Sequence, residues 1–143
     1  MALSVTAFRI DDTPRMNAAR HIRETVFCHE QGISPADEWD DHDPVCEHFV
    51  LYTAQTPIGT ARVRPTGGGA FKIERMAVME DYRDIGAGTF LLRAILTHVG
   101  NAASVVLHAQ AAVGGFYRKL GFEPEGDIFE EAGIPHIRMT LRT

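Results

Sequence analysis

The chain has 143 residues, 45% of them hydrophobic and 23% charged, and a formal net charge of -5. Such a composition suits one folded domain with a real hydrophobic core. It excludes a broad nucleic-acid face, which needs clustered Lys and Arg, and a membrane span, since no apolar run approaches ~18 residues.

Two cysteines, Cys28 and Cys46, make no disulfide framework in a chain of this length. The N-terminus lacks the basic segment and long apolar stretch of a signal peptide, so the expected location is cytoplasmic.

Residues 3–10 read as an opening strand. Thr13 is the expected N-cap of the first helix, with Pro14 at the first helical position. Ala18, Ile22 and Val26 lie four apart, with Met16, Ala19 and Phe27 beside them, giving that helix one apolar face. It should fail near Gln31-Gly32, and Pro35 marks a loop. Residues 37–43 then hold five acids in seven positions. They lack the glycine and closing glutamate of an EF-hand calcium loop. Either they form a solvated loop or they attract a cationic substrate.

Residues 48–52 and 58–64 predict two strands joined as a hairpin through Gln55-Thr56-Pro57. Pro65 and Gly67-Gly68-Gly69 predict a flexible connection to a central strand over residues 71–78. After it come Arg83-Asp84-Ile85-Gly86-Ala87-Gly88, and then Leu91, Leu92, Ile95, Leu96 and Val99 at helical spacing, with Gly100 as the stop. Val105-Val106-Leu107 is a short apolar strand of the kind covered on both faces. Val113, Phe116, Tyr117 and Leu120 mark a last helix closed by Gly121. Ile137, Met139 and Leu141 alternate with polar residues in a final strand. The pattern predicts one mixed sheet covered by helices, in a single domain over residues 1–143, with the strands flanking the central helix parallel.

Strand, glycine-bearing turn and helix in that order can build an anion site. The first N–H groups of a helix lack internal partners and carry partial positive charge. Glycines permit close approach, and Arg83 adds a forked cation suited to phosphate. The same hexapeptide is equally compatible with an ordinary strand–helix turn. In the central strand, Phe71 and Ile73 occupy odd positions, whereas Met76 and Val78 occupy even ones. A strict period of two cannot hold both, so a bulge is expected near Glu74-Arg75, unless both faces are buried. A bulge would free backbone N–H groups near Met76, Ala77 and Val78.

The hexapeptide at 83–88 is similar to the (Gln/Arg)-x-x-Gly-x-(Gly/Ala) signature of the GNAT superfamily of N-acetyltransferases. Phe116-Tyr117-Arg118-Lys119-Leu120-Gly121-Phe122 resembles that family's second signature. Further segments at 22–27, 30–32, 40–49, 72–78, 108–110 and 133–136 resemble the ElaA/YjcF-type bacterial branch. The resemblance implies an α+β (mixed α/β) fold with a central mixed sheet of six to seven strands covered by about four helices. A V-shaped cleft would open between the fourth and fifth strands. It implies acetyl-CoA as cofactor, coenzyme A as product, and a small-molecule or peptide amine as acceptor, with homodimers a frequent assembly and no nucleic acid or membrane partner. Pyrophosphate would lie on Arg83, Asp84, Ile85, Gly86, Ala87 and Gly88, and pantetheine beside Met76, Ala77 and Val78. Gln110 stands where many relatives carry Asn, and Phe116 is a further cofactor contact.

An aliphatic amine of pKa ~10.4 is neutral in only about 1 in 2,500 molecules at pH 7, so attack needs proton removal. Glu74 is the candidate base, with a salt-bridged structural acid or a water chain as alternatives. Tyr117 matches the family's general acid, protonating the leaving thiolate; its helical spacing also fits core packing. A backbone N–H near Val78 would meet the oxyanion. The resemblance puts Glu30, Asp41, Asp43 and His136 around the acceptor end. Gly114-Gly115 fits either a close approach or a frayed first turn. Two other readings are a non-catalytic acyl-CoA sensor or scaffold on the same fold, and a metal module through Cys28, His29, Cys46 and His48; no metal is expected.

Overall fold

The computed structural model describes residues 2–142. The chain runs β1 (Leu3–Phe8), α1 (Thr13–Arg23), α2 (Pro35–Glu38), β2 (Glu47–Thr53), β3 (Thr56–Gly67), β4 (Ala70–Val78), α3 (Ala87–Val99), β5 (Ser104–Gln110), α4 (Gly114–Lys119), β6 (Glu123–Glu131) and β7 (Ile134–Arg142). The strands form one seven-stranded sheet in the order β1-β2-β3-β4-β5-β7-β6. Its β4–β5 pair is parallel and its other pairs are antiparallel. This is the mixed α/β architecture expected. No helix among the described residues is long and apolar enough to cross a membrane.

The two sheet faces bury different partners because strand side chains alternate. On β2, Phe49 and Leu51 join Leu91, Leu92 and Ile95 of α3 in the main core. Val50, between them, packs on the other face with Phe8, Met16 and Ala19. Fully burying one Leu or Ile of α3 contributes roughly 1.5–3 kcal/mol, so this helix is firmly seated. Its N-terminus, the candidate anion site, is thereby fixed.

Several expectations need correction. Asp12, not Thr13, caps α1, its carboxylate accepting from the Arg15 N–H; Thr13 and Pro14 fill the first two helical positions. Asp12 also pairs with the Arg15 guanidinium, which Thr13 could not do. At Glu24 the helix widens into a π-helix over Glu24–Glu30, closed by an N–H bond from Gln31 to the Val26 carbonyl. The wider turn sets Glu30 and Gln31 toward the sheet's open end, a common use of such segments. The connection from β3 to β4 is a tight hairpin: β3 runs on to Gly67, and Gly67, Gly68 and Gly69 all take positive φ. β6 had no sequence signal. It is polar, largely exposed, and interrupted between Glu125 and Phe129.

The phase slip in β4 is real. Thr60 pairs with Ala77 but Arg62 with Glu74, so β4 carries one residue more than its partner at this point. Phe71 and Ile73 before the bulge and Met76 and Val78 after it all pack on the main core. Arg75 absorbs the bulge with φ 54°, a conformation unfavourable for a side chain. Its guanidinium is held there by Glu38 and Asp40.

Candidate active site

Parallel pairing of β4 with β5 runs from Ala70 and Ser104 to Ile73 and Leu107, and stops. Both strands continue, β4 along β3 to Val78 and β5 along β7 to Gln110. Their edges therefore part, leaving residues 74–78 without ladder partners in β5. Between them lies a cleft of about 620 Å³ whose lining includes Met76, Ala77, Val78, His108, Gln110 and Tyr117.

The loop after β4 turns sharply into α3. Asp84 and Gly86 take φ 67° and 80°, and Gly86 stands at the N-cap of α3, with no side chain capping the helix. The first N–H groups of α3 therefore have neither an intrahelical acceptor nor a cap. Ile85 is exposed and Ala87 buried beneath the turn. At Gly88 an added Cβ would lie 3.3 Å from Phe116 Cζ, so Phe116 packs directly on the turn. Arg83 donates to both carboxylate oxygens of Glu30 at 2.6 and 2.8 Å, and through Nε to the Val78 carbonyl. Gln110 donates to Gln31 at 2.8 Å. The π-helix end thus contacts both the anion loop and the end of β5.

Tyr117 stands on α4 with its hydroxyl 3.8 Å from Met76 Sδ and its ring edge-on to Phe116 and Phe122. Burial pushes its phenol up to about 12, so it is a proton donor throughout the neutral range. Gly114 and Gly115 begin α4 with nothing near their would-be Cβ positions. Among the described residues no neighbouring helix approaches these positions within 4 Å.

Glu74, the candidate base, sits among three cations. Burial alone would raise its carboxyl, but a hydrogen bond from Arg64 and the charges of Arg62 and Lys72 outweigh burial and hold it at about 2. A carboxylate held so low is a reluctant acceptor for an ammonium proton. Glu74 belongs to a buried charge cluster that the sequence did not disclose. Arg23 bonds Glu38 and Asp43 at 2.7 and 2.9 Å. Arg62 bonds Asp43 and Asp40 at 2.8 and 2.7 Å. Arg23 also lies 4.7 Å over the Trp39 ring.

The acidic run is therefore a structural clamp more than a solvated loop. Asp43 is buried against Arg23 and Arg62, which, against the cost of burial, keep its carboxyl below the usual range. Asp41 is exposed beside a separate depression with Ile10 and Arg20. Neither is among the residues lining the cleft, to which this run contributes Asp37, Glu38, Asp40 and His42. His136 does reach it, buried at the start of β7 with Nδ1 2.7 Å from the Ile134 carbonyl. Among the described residues no three His, Cys, Asp or Glu side chains gather as a metal site. His48 instead bonds the Asp43 carbonyl and stacks on Phe8, and burial pushes the Cys46 thiol up to about 11.

The sheet thus opens between parallel neighbours, with a glycine-turned helix start beside the opening. Residues 26–143 match the family described as an acetyltransferase (GNAT) domain, and the chain belongs to that family. It is 38% identical over 138 residues to YyaT of Bacillus subtilis, covering 92% of each chain. It is 33% identical to YjcF of the same organism, named as an N-acetyltransferase, over 87% of this chain and 91% of that one. Among solved structures, Escherichia coli ElaA superposes with a TM-score of 0.88 at 25% identity, over 99% of this chain and 100% of ElaA.

Proposed function

We propose that the protein moves the acetyl group of acetyl-CoA onto a primary amine of a small molecule or peptide. The observation that carries this reading is the parting of β4 from β5 after Ile73 and Leu107, beside the uncapped start of α3. Family membership supports acyl transfer. In this reading residues 83–88 hold the pyrophosphate through backbone N–H groups and the Arg83 fork. The freed edge of β4 at Met76, Ala77 and Val78 receives the pantetheine arm as an added strand, with Gln110 and Phe116 alongside.

Tyr117 protonates the departing thiolate, a role suited to a phenol that stays protonated at neutral pH. An N–H at Val78 faces the developing oxyanion. Glu74, tied to Arg62, Arg64 and Lys72, shapes the cleft wall and leaves proton removal to another group. His136 borders the cleft and is available to the acceptor, whereas Glu30 stays with Arg83 at the phosphate loop. Asp41 and Asp43 take no part.

The test is an acetylation assay with acetyl-CoA and a broad amine panel, reading released CoA thiol. Turnover of at least one primary amine is expected. Acetyl-CoA binding without turnover of any amine would mark a non-catalytic acyl-CoA-binding protein, and loss of binding as well would remove the reading altogether.

A further inference from the structure

His108 and Glu131, which line the cleft, have no part in the mechanism so far. His108 is the first residue of β5 beyond Leu107, the last to pair with β4, so it stands where the cleft begins. Its Nδ1 lies 3.0 Å from Glu131 Oε1. Its ring meets Phe129 edge-on at 5.0 Å, and Phe129 in turn stacks on His136. The other oxygen of Glu131 lies 3.8 Å from His136 Nε2. Three strands that are neighbours in the sheet, β5, β7 and β6, thus bring a carboxylate, two imidazoles and a phenyl ring to one wall.

The hydrogen bonds fix how these rings are protonated. A carboxylate and a carbonyl oxygen only accept. Glu131 therefore requires the proton of His108 on Nδ1, and Ile134 requires that of His136 on Nδ1. The lone pair of neutral His108 is left on Nε2, which has no hydrogen-bond partner among the described residues. A carboxylate orienting an imidazole through Nδ1 leaves Nε2 as a base, and its charge favours the imidazolium that forms.

Resting on the acetyltransferase reading, we propose that His108 is the general base that takes the acceptor amine's proton, with Glu131 as its positioning residue. The acceptor ammonium gives one proton to His108 Nε2, and the freed nitrogen lone pair forms a bond to the acetyl carbonyl carbon. The C–S bond then breaks. The nitrogen sheds a second proton, which replaces the one that Tyr117 gives to the departing sulfur. His108 releases its own proton to solvent, so the sum is an amide, a thiol and one proton.

The surrounding charges leave this dyad room to act. On the facing wall, Glu74 is neutralised by Arg62, Arg64 and Lys72, and Arg75 by Glu38 and Asp40. Tyr117 on α4 is an uncharged phenol. On β7, Arg138, the register partner of His108, pairs with Glu125. Glu131 itself contacts no Lys or Arg among the described residues, only the two imidazoles.

The experiment compares wild type, His108→Gln and Glu131→Gln on whichever primary amine the wild type acetylates, from pH 6 to ~10. His108→Gln should lower kcat/KM by roughly 10²-fold or more at pH 7, converging on wild type near pH 10, where the amine is already neutral. It should leave the thermal shift produced by acetyl-CoA intact. Nitrogen-15 correlation spectra of the free wild-type protein should place the ring proton of His108 on Nδ1, and Glu131→Gln should lose that preference. Wild-type turnover with an unchanged His108→Gln profile overturns the dyad and spares the acetyltransferase reading. A ring proton on Nε2 also overturns it, with no need of turnover. Absence of wild-type turnover on every amine removes both.

Discussion

Arg83 and Glu30 close on each other fork to fork, two N–H···O bonds of 2.6 and 2.8 Å joining the loop before α3 to the end of the π-helix. The hydrogen bond from Arg83 holds the Glu30 carboxyl below its ordinary range, and the same bond raises the guanidinium. A pyrophosphate arriving at residues 83–88 must compete with this carboxylate. Glu30→Gln should therefore tighten acetyl-CoA binding. A half-exposed pair contributes at most ~1 kcal/mol, so the gain should be about three- to fivefold in Kd. Calorimetric titration checks it, and weaker binding by the variant would show that Glu30 positions Arg83 instead of withholding it.

Tyr117→Phe should bind acetyl-CoA as wild type does and turn over roughly 10²–10⁴-fold more slowly. Among the described residues the hydroxyl's one hydrogen bond is the weak one to Met76 Sδ, so its loss should cost little stability. Thioesters with better leaving thiols should suffer less from the change. Equal losses for good and poor leaving thiols would assign Tyr117 to packing.

Glu74 ties stability to pH. Its folded carboxyl sits at about 2 against an ordinary 4.5, so the folded state binds its proton more weakly. The resulting stabilisation is complete above roughly pH 5 and disappears as pH falls toward 2, amounting to at most about 3 kcal/mol. Glu74→Gln should melt well below wild type at pH 7, and the gap should narrow steadily in thermal melts taken down to pH 3. A gap independent of pH would mean that shape, not charge, was lost.

Gly88→Val would set a Cβ against the Phe116 ring at 3.3 Å, with Met76 Cε beyond it. Phe116 must shift and take the start of α4 with it. The variant should lose the thermal stabilisation given by acetyl-CoA and also lower turnover through Tyr117. Gly86→Val has open space at its Cβ but a φ of 80°. It should destabilise the loop by roughly 1–3 kcal/mol and weaken acetyl-CoA binding, without moving Phe116. Thermal shifts of both variants, with and without acetyl-CoA, distinguish the two routes.

Local pattern made much of this molecule readable. The glycine turn before α3, the alternation in β7 and the parity break in β4 are short-range signals, and each is found where expected. The buried cluster was hidden because its members lie far apart in sequence. Arg23, Asp43 and Arg62 come from a helix, a loop and a strand, and nothing near Asp43 says that two guanidiniums await it. The same holds for His108, whose partner Glu131 lies on a strand too polar to announce itself. A lone histidine directly after Val105-Val106-Leu107 was the available hint, since it marks the end of the apolar run and the mouth of the cleft.

The manner in which Glu38, Asp40 and Asp43 are fastened bears on how this scaffold could be redirected. The segment that carries them is riveted to Arg23, Arg62 and Arg75 by charge. Grafting a different segment over residues 35–45 would take carboxylate partners from three guanidiniums, two of them fully buried and only Arg62 keeping Glu74, unless the graft brought carboxylates to the same places. Asp37 and His42 are exposed and also line the cleft. They are the positions where a new acceptor preference could be written without unpicking the frame beneath.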